Sequence, residues 1–278
     1  MKNPIITSSI VLYNNEWTTI NETINSFLNT DIIVYLFLID NSPTDELSKL
    51  KTDSRIEYIH NPSNPGFGAA HNIAILQSLE LQSDYHLVLN PDVYYAPGTL
   101  EQLIQFMESN KDIGHVMPKI LSPNGDFQYL CKTNPTFFDL FARGFMPNFL
   151  KDKFKKRLDK FTYKDANFDT IIYDVPYLSG CFMLFRTSTL KQVGLFDGKI
   201  FMYLEDADIT RRFLEVSRTA YYPGATVYHH YAGLTHKKWK YKWITIQSAF
   251  IYFNKWGWIF DNYRIYCNKK TLNQLNEN

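Results

Sequence analysis

The sequence predicts an α/β protein with a mostly parallel central sheet flanked by helices. Strand-like and helix-like segments alternate through the first hundred residues. The strand-like segments are continuous apolar runs, the pattern of strands covered on both faces. Two of these runs end in Asp40 and Asn90-Pro91-Asp92, where parallel sheets gather ligands at their carboxyl edge.

The elements follow in order. Residues 5–13 form a β-rich run, and 16–28 carry helical spacing. Residues 34–39 read as a buried strand closed by the turn Asp40-Asn41-Ser42-Pro43. A short strand over 56–59, a helix over 68–81 and a strand over 85–89 come next. The stretch 119–176 is less regular. Within it, Leu150, Phe154, Leu158 and Phe161 share one face of a helix predicted over 149–161, with Lys and Arg around them. That helix either lies on the core or meets a membrane or an acceptor.

Residues 178–213 hold a small-residue turn, an apolar strand, a short helix, a glycine-containing connection and then Glu205-Asp206-Ala207-Asp208 opening another helix. Residues 225–230 are a β-branched strand ending in His229-His230, and strand alternation sends at most one of the two into a given site. From Thr235 onward the tail carries eight Lys/Arg and four Trp against one Asp. Basic and aromatic residues so interleaved suit an anionic membrane surface. Core packing of the Trp residues is the plainer alternative, and no RNA-binding module is recognisable.

Composition excludes several classes. A hydrophobic content of 45% in 278 residues supports a real core, and a net charge of +1 gives no reason to expect nucleic acid. Cys131, Cys181 and Cys267 match neither a zinc module nor a disulfide framework, which fits a reducing cytoplasm. The longest apolar run, 32–39, is far short of a membrane span, and residues 1–17 lack a signal-peptide pattern. The expected location is cytoplasmic, with any membrane association peripheral.

The site candidates each carry two readings. Asp40, at a strand end, accepts a hydrogen bond from a pyrimidine imide or a ribose hydroxyl, or forms an Asx-turn. Gly66 and Gly68 precede a helix, so the backbone can approach a ligand and the helix N-terminus can face phosphate; an ordinary turn is the alternative. The loop is neither GxGxxG nor a P-loop. Asp92 offers one carboxylate, and Asn90 one carbonyl, to Mg²⁺ or Mn²⁺. Glu205 and Asp206 suit proton removal from an attacking sugar hydroxyl; alternatively all three acids, Asp208 included, serve the helix dipole and pair with Arg211 and Arg212, the role left to Asp208 in either case. A histidine at the end of the 225–230 strand could complete a metal or diphosphate site.

The order of the motifs discriminates. Ser9-Ile10-Val11-Leu12-Tyr13-Asn14, Ile39-Asp40-Asn41-Ser42, Asn64-Pro65-Gly66-Phe67-Gly68-Ala69-Ala70-His71-Asn72, Leu89-Asn90-Pro91-Asp92, Leu178-Ser179-Gly180-Cys181, Tyr203-Leu204-Glu205-Asp206-Ala207-Asp208 and Val227-Tyr228-His229-His230 succeed one another. The series resembles the family 2 glycosyltransferases of GT-A fold, in particular the rhamnosyltransferase-like branch that builds bacterial surface polysaccharide such as O-antigen. The resemblance covers residues 5 to about 235. It implies a catalytic domain over 1–235, with a nucleotide-binding half (1–118) and an acceptor and catalytic half (119–235), followed by a helical basic, aromatic extension over 236–278.

By that resemblance, the reaction is an inverting transfer from a nucleoside-diphosphate sugar, L-rhamnose from dTDP-rhamnose, to a lipid-linked acceptor at the inner face of the cytoplasmic membrane. Tyr13, Asp40 and Asn41 would hold base and ribose, with Asn90 beside them. Gly66, Phe67, Gly68 and Asn72 would lie along the nucleotide, and Ser179, Gly180 and Cys181 would floor the donor-sugar pocket. Asp92 and His229 would close a Mg²⁺ or Mn²⁺ site at the diphosphate. Asp206 would be the general base, with Glu205 shaping acceptor or metal contacts. The usual Asp-x-Asp is Asn90-Pro91-Asp92 here, so an amide replaces one metal carboxylate. UDP-galactose, UDP-glucose or UDP-N-acetylglucosamine is the alternative donor. A non-catalytic nucleotide-sugar-binding module is the alternative class, against which Asp92, Asp206 and His229 speak. A nucleotidyltransferase would need a basic glycine-rich N-terminal loop, which is missing.

Overall fold

The chain was analysed as a computed structural model that describes residues 3–230 and 239–277. The expected boundary at 235/236, and Thr235, His236, Lys237 and Lys238 at the head of the basic tail, lie outside the described residues. The first half runs β1 (Ile5–Leu12), α1 (Trp17–Leu28), β2 (Ile33–Asp40), β3 (Ile56–His60), α2 (Phe67–Glu80), β4 (Tyr85–Leu89), β5 (Val93–Tyr94), α3 (Thr99–Ser109) and β6 (Ile113–Leu121). Next come β7 (Cys131–Lys132), α4 (Phe137–Gly144), α5 (Asn148–Lys151), α6 (Lys155–Phe161), β8 (Ile172–Tyr173), β9 (Tyr177–Leu178) and β10 (Phe182–Arg186). The last are α7 (Thr187–Val193), α8 (Glu205–Val216), β11 (Arg218–His229), α9 (Trp239–Trp256) and α10 (Asn262–Glu277).

The main sheet has the order β3-β2-β1-β4-β10-β6-β11-β5, with β8 added to β11. β3, β2, β1 and β4 are parallel, as the apolar runs predict. β10 then enters antiparallel to both β4 and β6. This reversal builds the site. Phe182 pairs with Leu89, so Ser179-Gly180-Cys181 lies beside Asn90-Pro91-Asp92. On the far side, His229 pairs with Val93, which brings the end of β11 next to Asp92.

Both faces are covered. Ile20, Ile24 and Phe27 of α1 and Leu103 and Met107 of α3 pack with Ile6, Ile10, Leu36, Leu38 and Leu87 on one face. Ile75 of α2, Leu190 of α7, and Ile209 and Phe213 of α8 pack with Val88, Met183 and Phe185 on the other. Each fully buried side chain of this kind contributes about 1.5–3 kcal/mol.

One expectation changes. The helix predicted over 149–161 is broken into α5, a 3-10 turn Asp152–Phe154, and α6. The break turns Phe154 onto Phe138 of α4, ring centres 5.0 Å apart, and lets Arg157 pair with Asp139 at 2.8 Å. Only Phe161 of the predicted apolar face is fully inside. The expected helical C-terminal extension is present as α9 and α10, and both helices pack on the rest of the chain. Buried Arg211 of α8 grips Asp261 with two hydrogen bonds of 2.6 and 2.7 Å, and Gln274 of α10 exchanges two hydrogen bonds with Tyr173 of β8. Trp256 and Trp258 pack inward, whereas Trp239 and Trp243 are exposed.

Candidate active site

One corner is Asp92 and His229. Their Oδ1 and Nε2 atoms lie 3.4 Å apart. The Gln128 amide donates to the His229 carbonyl at 2.8 Å, which turns its Oε1 toward His229 Nδ1 at 2.9 Å. Nδ1 is thus turned to the Gln128 carbonyl oxygen, and Nε2 faces Asp92. A ligand imidazole is commonly fixed through its other nitrogen in this way. A carboxylate and an imidazole so held fit a divalent cation whose remaining ligands are phosphate oxygens and water. No group of three or more His, Cys, Asp or Glu side chains is placed to hold a metal among the described residues. Strand alternation sends His230 away, to Glu22 at 3.1 Å.

The floor joins this corner to the base. Asn90 N–H donates to the Cys181 carbonyl at 2.9 Å, and Gly180 N–H donates to Asp206 Oδ2 at 3.0 Å. A Cβ on Gly180 would sit 3.3 Å from the Asp206 Cβ and 3.5 Å from the Phe67 ring, so Gly180 keeps the approach open. Burial pushes the Cys181 thiol up to about 12, which leaves it inert as a nucleophile. Ser179 beside it is half-buried.

The acidic cluster separates into three roles. Tyr203 and Leu204 both adopt left-handed backbone, φ 72° and 71°, immediately before α8. Such strain concentrates at functional sites. Asp206 is 8% exposed; its Oδ1 accepts from Ala207 N–H at 3.0 Å, and its Oδ2 from Gly180. Burial first, and the Asp206 charge second, push Glu205 well above the usual carboxylate range. Asp208 is fully buried against Arg212 at 3.0 Å, Lys255 at 2.7 Å and the Trp256 indole at 2.8 Å. The Arg pairing read from sequence holds for Asp208 with Arg212; Arg211 turns instead to Asp261.

The glycine loop has an internal explanation. Gly66 has φ 101°, and a Cβ there would fall 2.3 Å from the Phe201 carbonyl oxygen. Phe67 N–H donates to that same oxygen at 2.8 Å, so this N–H at the start of α2 is already satisfied. A Cβ on Gly68 would meet Phe196 at 2.8 Å, and Asn72 holds the Phe196 backbone through both its Oδ1 and its Nδ2 at 2.9 Å. These residues clamp the loop leading to α8; Phe67 alone of the set reaches the floor at Gly180.

At the nucleotide end, Tyr13 is about half exposed. Asp40 is fully buried, with its oxygens accepting from Tyr58 Oη at 2.6 Å and Ser42 N–H at 2.9 Å. It shapes the turn that carries Asn41, which is itself held by Asn61 Nδ2 at 2.8 Å. Gln128, Lys132 and Tyr177 belong to the site and were not read from sequence. They come from the irregular stretch and from two-residue strands, which leave no periodic signal.

Known proteins share the sequence pattern and the fold. Residues 8–194 match the family model Glycosyl transferase family 2. An N-acetylglucosaminyl-diphospho-decaprenol L-rhamnosyltransferase of Mycobacterium tuberculosis is 29% identical over 219 residues, 75% of this chain and 70% of that protein. The low-salt glycan biosynthesis hexosyltransferase Agl10 of Haloferax volcanii is 26% identical over 178 residues, 63% of this chain and 52% of that protein. Among solved structures, GalNAc-T7 with UDP, GalNAc and Mn²⁺ aligns with a TM-score of 0.59 at 17% identity, over 81% of this chain and 43% of that one. S. aureus TarS 1-349 in complex with UDP aligns with a TM-score of 0.53 at 16% identity, over 80% and 59%. The sheet order and the covered faces are those of a GT-A glycosyltransferase fold. The chain belongs to glycosyl transferase family 2 and is an enzyme of that class.

Proposed function

We propose that the protein moves L-rhamnose from dTDP-rhamnose, with inversion, onto a lipid-linked oligosaccharide during synthesis of a bacterial surface polysaccharide of O-antigen or capsule type. The observation that carries this reading is the shared floor, where Gly180 holds Asp206 and Cys181 adjoins Asn90-Pro91-Asp92. Tyr13, Asn41, Asn90 and the turn shaped by Asp40 receive base and ribose. Ser179, Gly180, Cys181 and Phe67 line the donor sugar, while Gly66, Gly68 and Asn72 set the loop. Asp92 and His229 would hold Mg²⁺ or Mn²⁺, which when bound would offset charge on the departing diphosphate.

Asp206 accepts the proton of the acceptor hydroxyl as its oxygen bonds to the anomeric carbon. The bond from that carbon to the diphosphate breaks, and its electron pair leaves with the nucleoside diphosphate. One displacement inverts the centre. Glu205, whose carboxyl is held above the usual range by burial and the Asp206 charge, shapes acceptor contacts beside the base. The mycobacterial relative's name supports the rhamnosyl donor and a diphospholipid acceptor.

A bacterial inner-membrane location follows from such an acceptor. No described helix is long and apolar enough to cross a membrane. Trp239, Trp243 and Phe250 stand exposed on α9 with Lys240 and Lys242 between them, a surface suited to headgroups. A UDP-sugar donor is the second reading, favoured by UDP in the GalNAc-T7 and TarS structures.

A thermal-shift panel of dTDP- and UDP-sugars with Mn²⁺ tests the donor. A ligand at a hundred times its Kd stabilises by about 2.7 kcal/mol. At about 2–4 °C per kcal/mol for a chain of this size, the shift is about 5–10 °C. dTDP-rhamnose should give the largest; a larger shift with a UDP-sugar moves the assignment to the second reading.

A further inference from the structure

α8 starts without a side-chain cap. Its N-cap is Leu204, which offers no oxygen to the free N–H groups of the first turn. Tyr203 and Leu204 both sit in left-handed backbone. Side chains make that conformation costly, so it persists only where the surroundings impose it. The Leu204 carbonyl nevertheless accepts the Asp208 N–H at 2.9 Å, and Asp206 lies between them. The placement of Asp206 therefore depends on what holds residues 201–204.

The hold comes from two sides. α2 secures Phe201, whose carbonyl accepts the Phe67 N–H at 2.8 Å. α9 secures the next residues. The Ser248 hydroxyl donates to the Met202 carbonyl at 2.7 Å, and Leu204 packs in one buried cluster with Ala249, Tyr252 and Phe253. The residue before Tyr203 and the residue after it are thus both fixed by α9. A helical Ser or Thr can turn its hydroxyl back to the carbonyl four residues earlier. Thr245 does so, to Tyr241 at 2.9 Å. Ser248, itself buried, reaches across to the turn instead.

We infer that Ser248 is a positioning residue for the transfer reaction. Its hydroxyl holds the left-handed turn at Tyr203 and Leu204 and, through that turn, sets Asp206 at the acceptor hydroxyl. The inference rests on Asp206 as the general base, read above. The inner face of α9 then serves the reaction, whatever the exposed Trp239 and Trp243 contact.

Hydrogen exchange reads the turn without any substrate. Ser248→Ala removes the hydroxyl and leaves a strong helix former in α9. Amides over 205–208 should then exchange about tenfold faster, the worth of one hydrogen bond to a buried carbonyl, while those of α9 keep their protection. Turnover reads the base. With dTDP-rhamnose and N-acetylglucosaminyl-diphospho-farnesol, kcat should fall by a like factor, and the Kd for dTDP with Mn²⁺ should not change. Tyr203→Gly supplies a cycle: glycine takes left-handed backbone freely, so in that background Ser248→Ala should lower kcat by about twofold or less.

Unchanged exchange over 205–208, or faster exchange spread along α9 as well, would make Ser248 a packing residue of its own helix and overturn the inference. So would a kcat loss undiminished in the Tyr203→Gly background, or one matched by lost dTDP affinity. The underlying reading fails separately. A wild-type enzyme inactive on these substrates, or Asp206→Asn with full kcat, refutes the function proposed above, and exchange still decides whether Ser248 holds the turn.

Discussion

Asp206→Asn isolates the general base with little change of shape. Both carboxylate oxygens accept a backbone N–H, from Ala207 and Gly180, each at 3.0 Å. Asparagine offers one oxygen, so in either orientation its amide meets a buried N–H and one hydrogen bond is lost. That loss costs about 1–3 kcal/mol. At about 2–4 °C per kcal/mol, Tm falls by about 2–12 °C, and a domain stable by about 5–15 kcal/mol remains folded at 25 °C.

The rate effect is larger. Removing positioned base catalysis costs about 10²–10⁴-fold, or roughly 2.7–5.5 kcal/mol of barrier. Steady-state release of nucleoside diphosphate in the presence of acceptor reads kcat, and calorimetry reads the donor Kd. We expect kcat to fall by that factor with donor affinity preserved. Asp208→Asn is the control. It breaks a buried ion cluster with Arg212 and Lys255 and should cost about 3–5 kcal/mol of stability, yet spare turnover per folded molecule. A folded Asp206→Asn enzyme with kcat within tenfold of wild type would refute the assignment, as would equal kcat losses in the two variants.

Gln128→Leu should weaken Mn²⁺-supported donor binding by about 10–100-fold, because it frees His229 from its hydrogen bonds; an unchanged Mn²⁺ midpoint would remove Gln128 from the site. Glu205→Gln has a signed pH dependence. The folded state keeps the Glu205 proton well above the pH, about 4.3, at which the unfolded chain releases it. The native state thus binds more protons, and wild-type stability falls as pH rises above that point. The variant's Tm advantage over wild type should be near zero at pH 4 and grow as pH rises above that point, and a flat difference would contradict a raised Glu205. Replacing exposed Trp239 and Trp243 together with Ser should release the protein from anionic vesicles without lowering Tm, and persistent co-sedimentation would locate binding elsewhere. Truncating the tail would not serve, since it removes Asp261 from Arg211 and Tyr252 and Phe253 from the core.

The parallel half of the fold was legible because its signals are local. Apolar runs at 5–13, 34–39 and 85–89 recur as β1, β2 and β4 to within a residue or so. The stretch 119–176 and β9 just after it resisted reading because β7, β8 and β9 are two residues each, and their existence depends on distant partners. Asp92, Asp206 and His229 stood out as polar residues at the ends of apolar elements, and the sheet brings the first and last together. Gly66, Gly68 and Asn72 were visible, but their partners Phe196 and Phe201 are over a hundred residues away. A sequence shows that a glycine is needed and leaves open whether backbone or ligand needs it. Lys132 and Tyr177 were silent, because only the β7–β9 register sets them opposite each other.

The Asn72–Phe196 clamp spans 124 residues of chain. Contacts of such separation close late, since loop-closure entropy must be overcome before they are rewarded. The nucleotide half can thus gather its strands before the connection at 195–204 docks and sets α8. A nascent or partly refolded molecule would hold a nucleotide sugar without a base in place. Refolding followed by helical signal and by transfer activity should show activity arriving last, so that the donor is spared wasteful hydrolysis until the chain is finished.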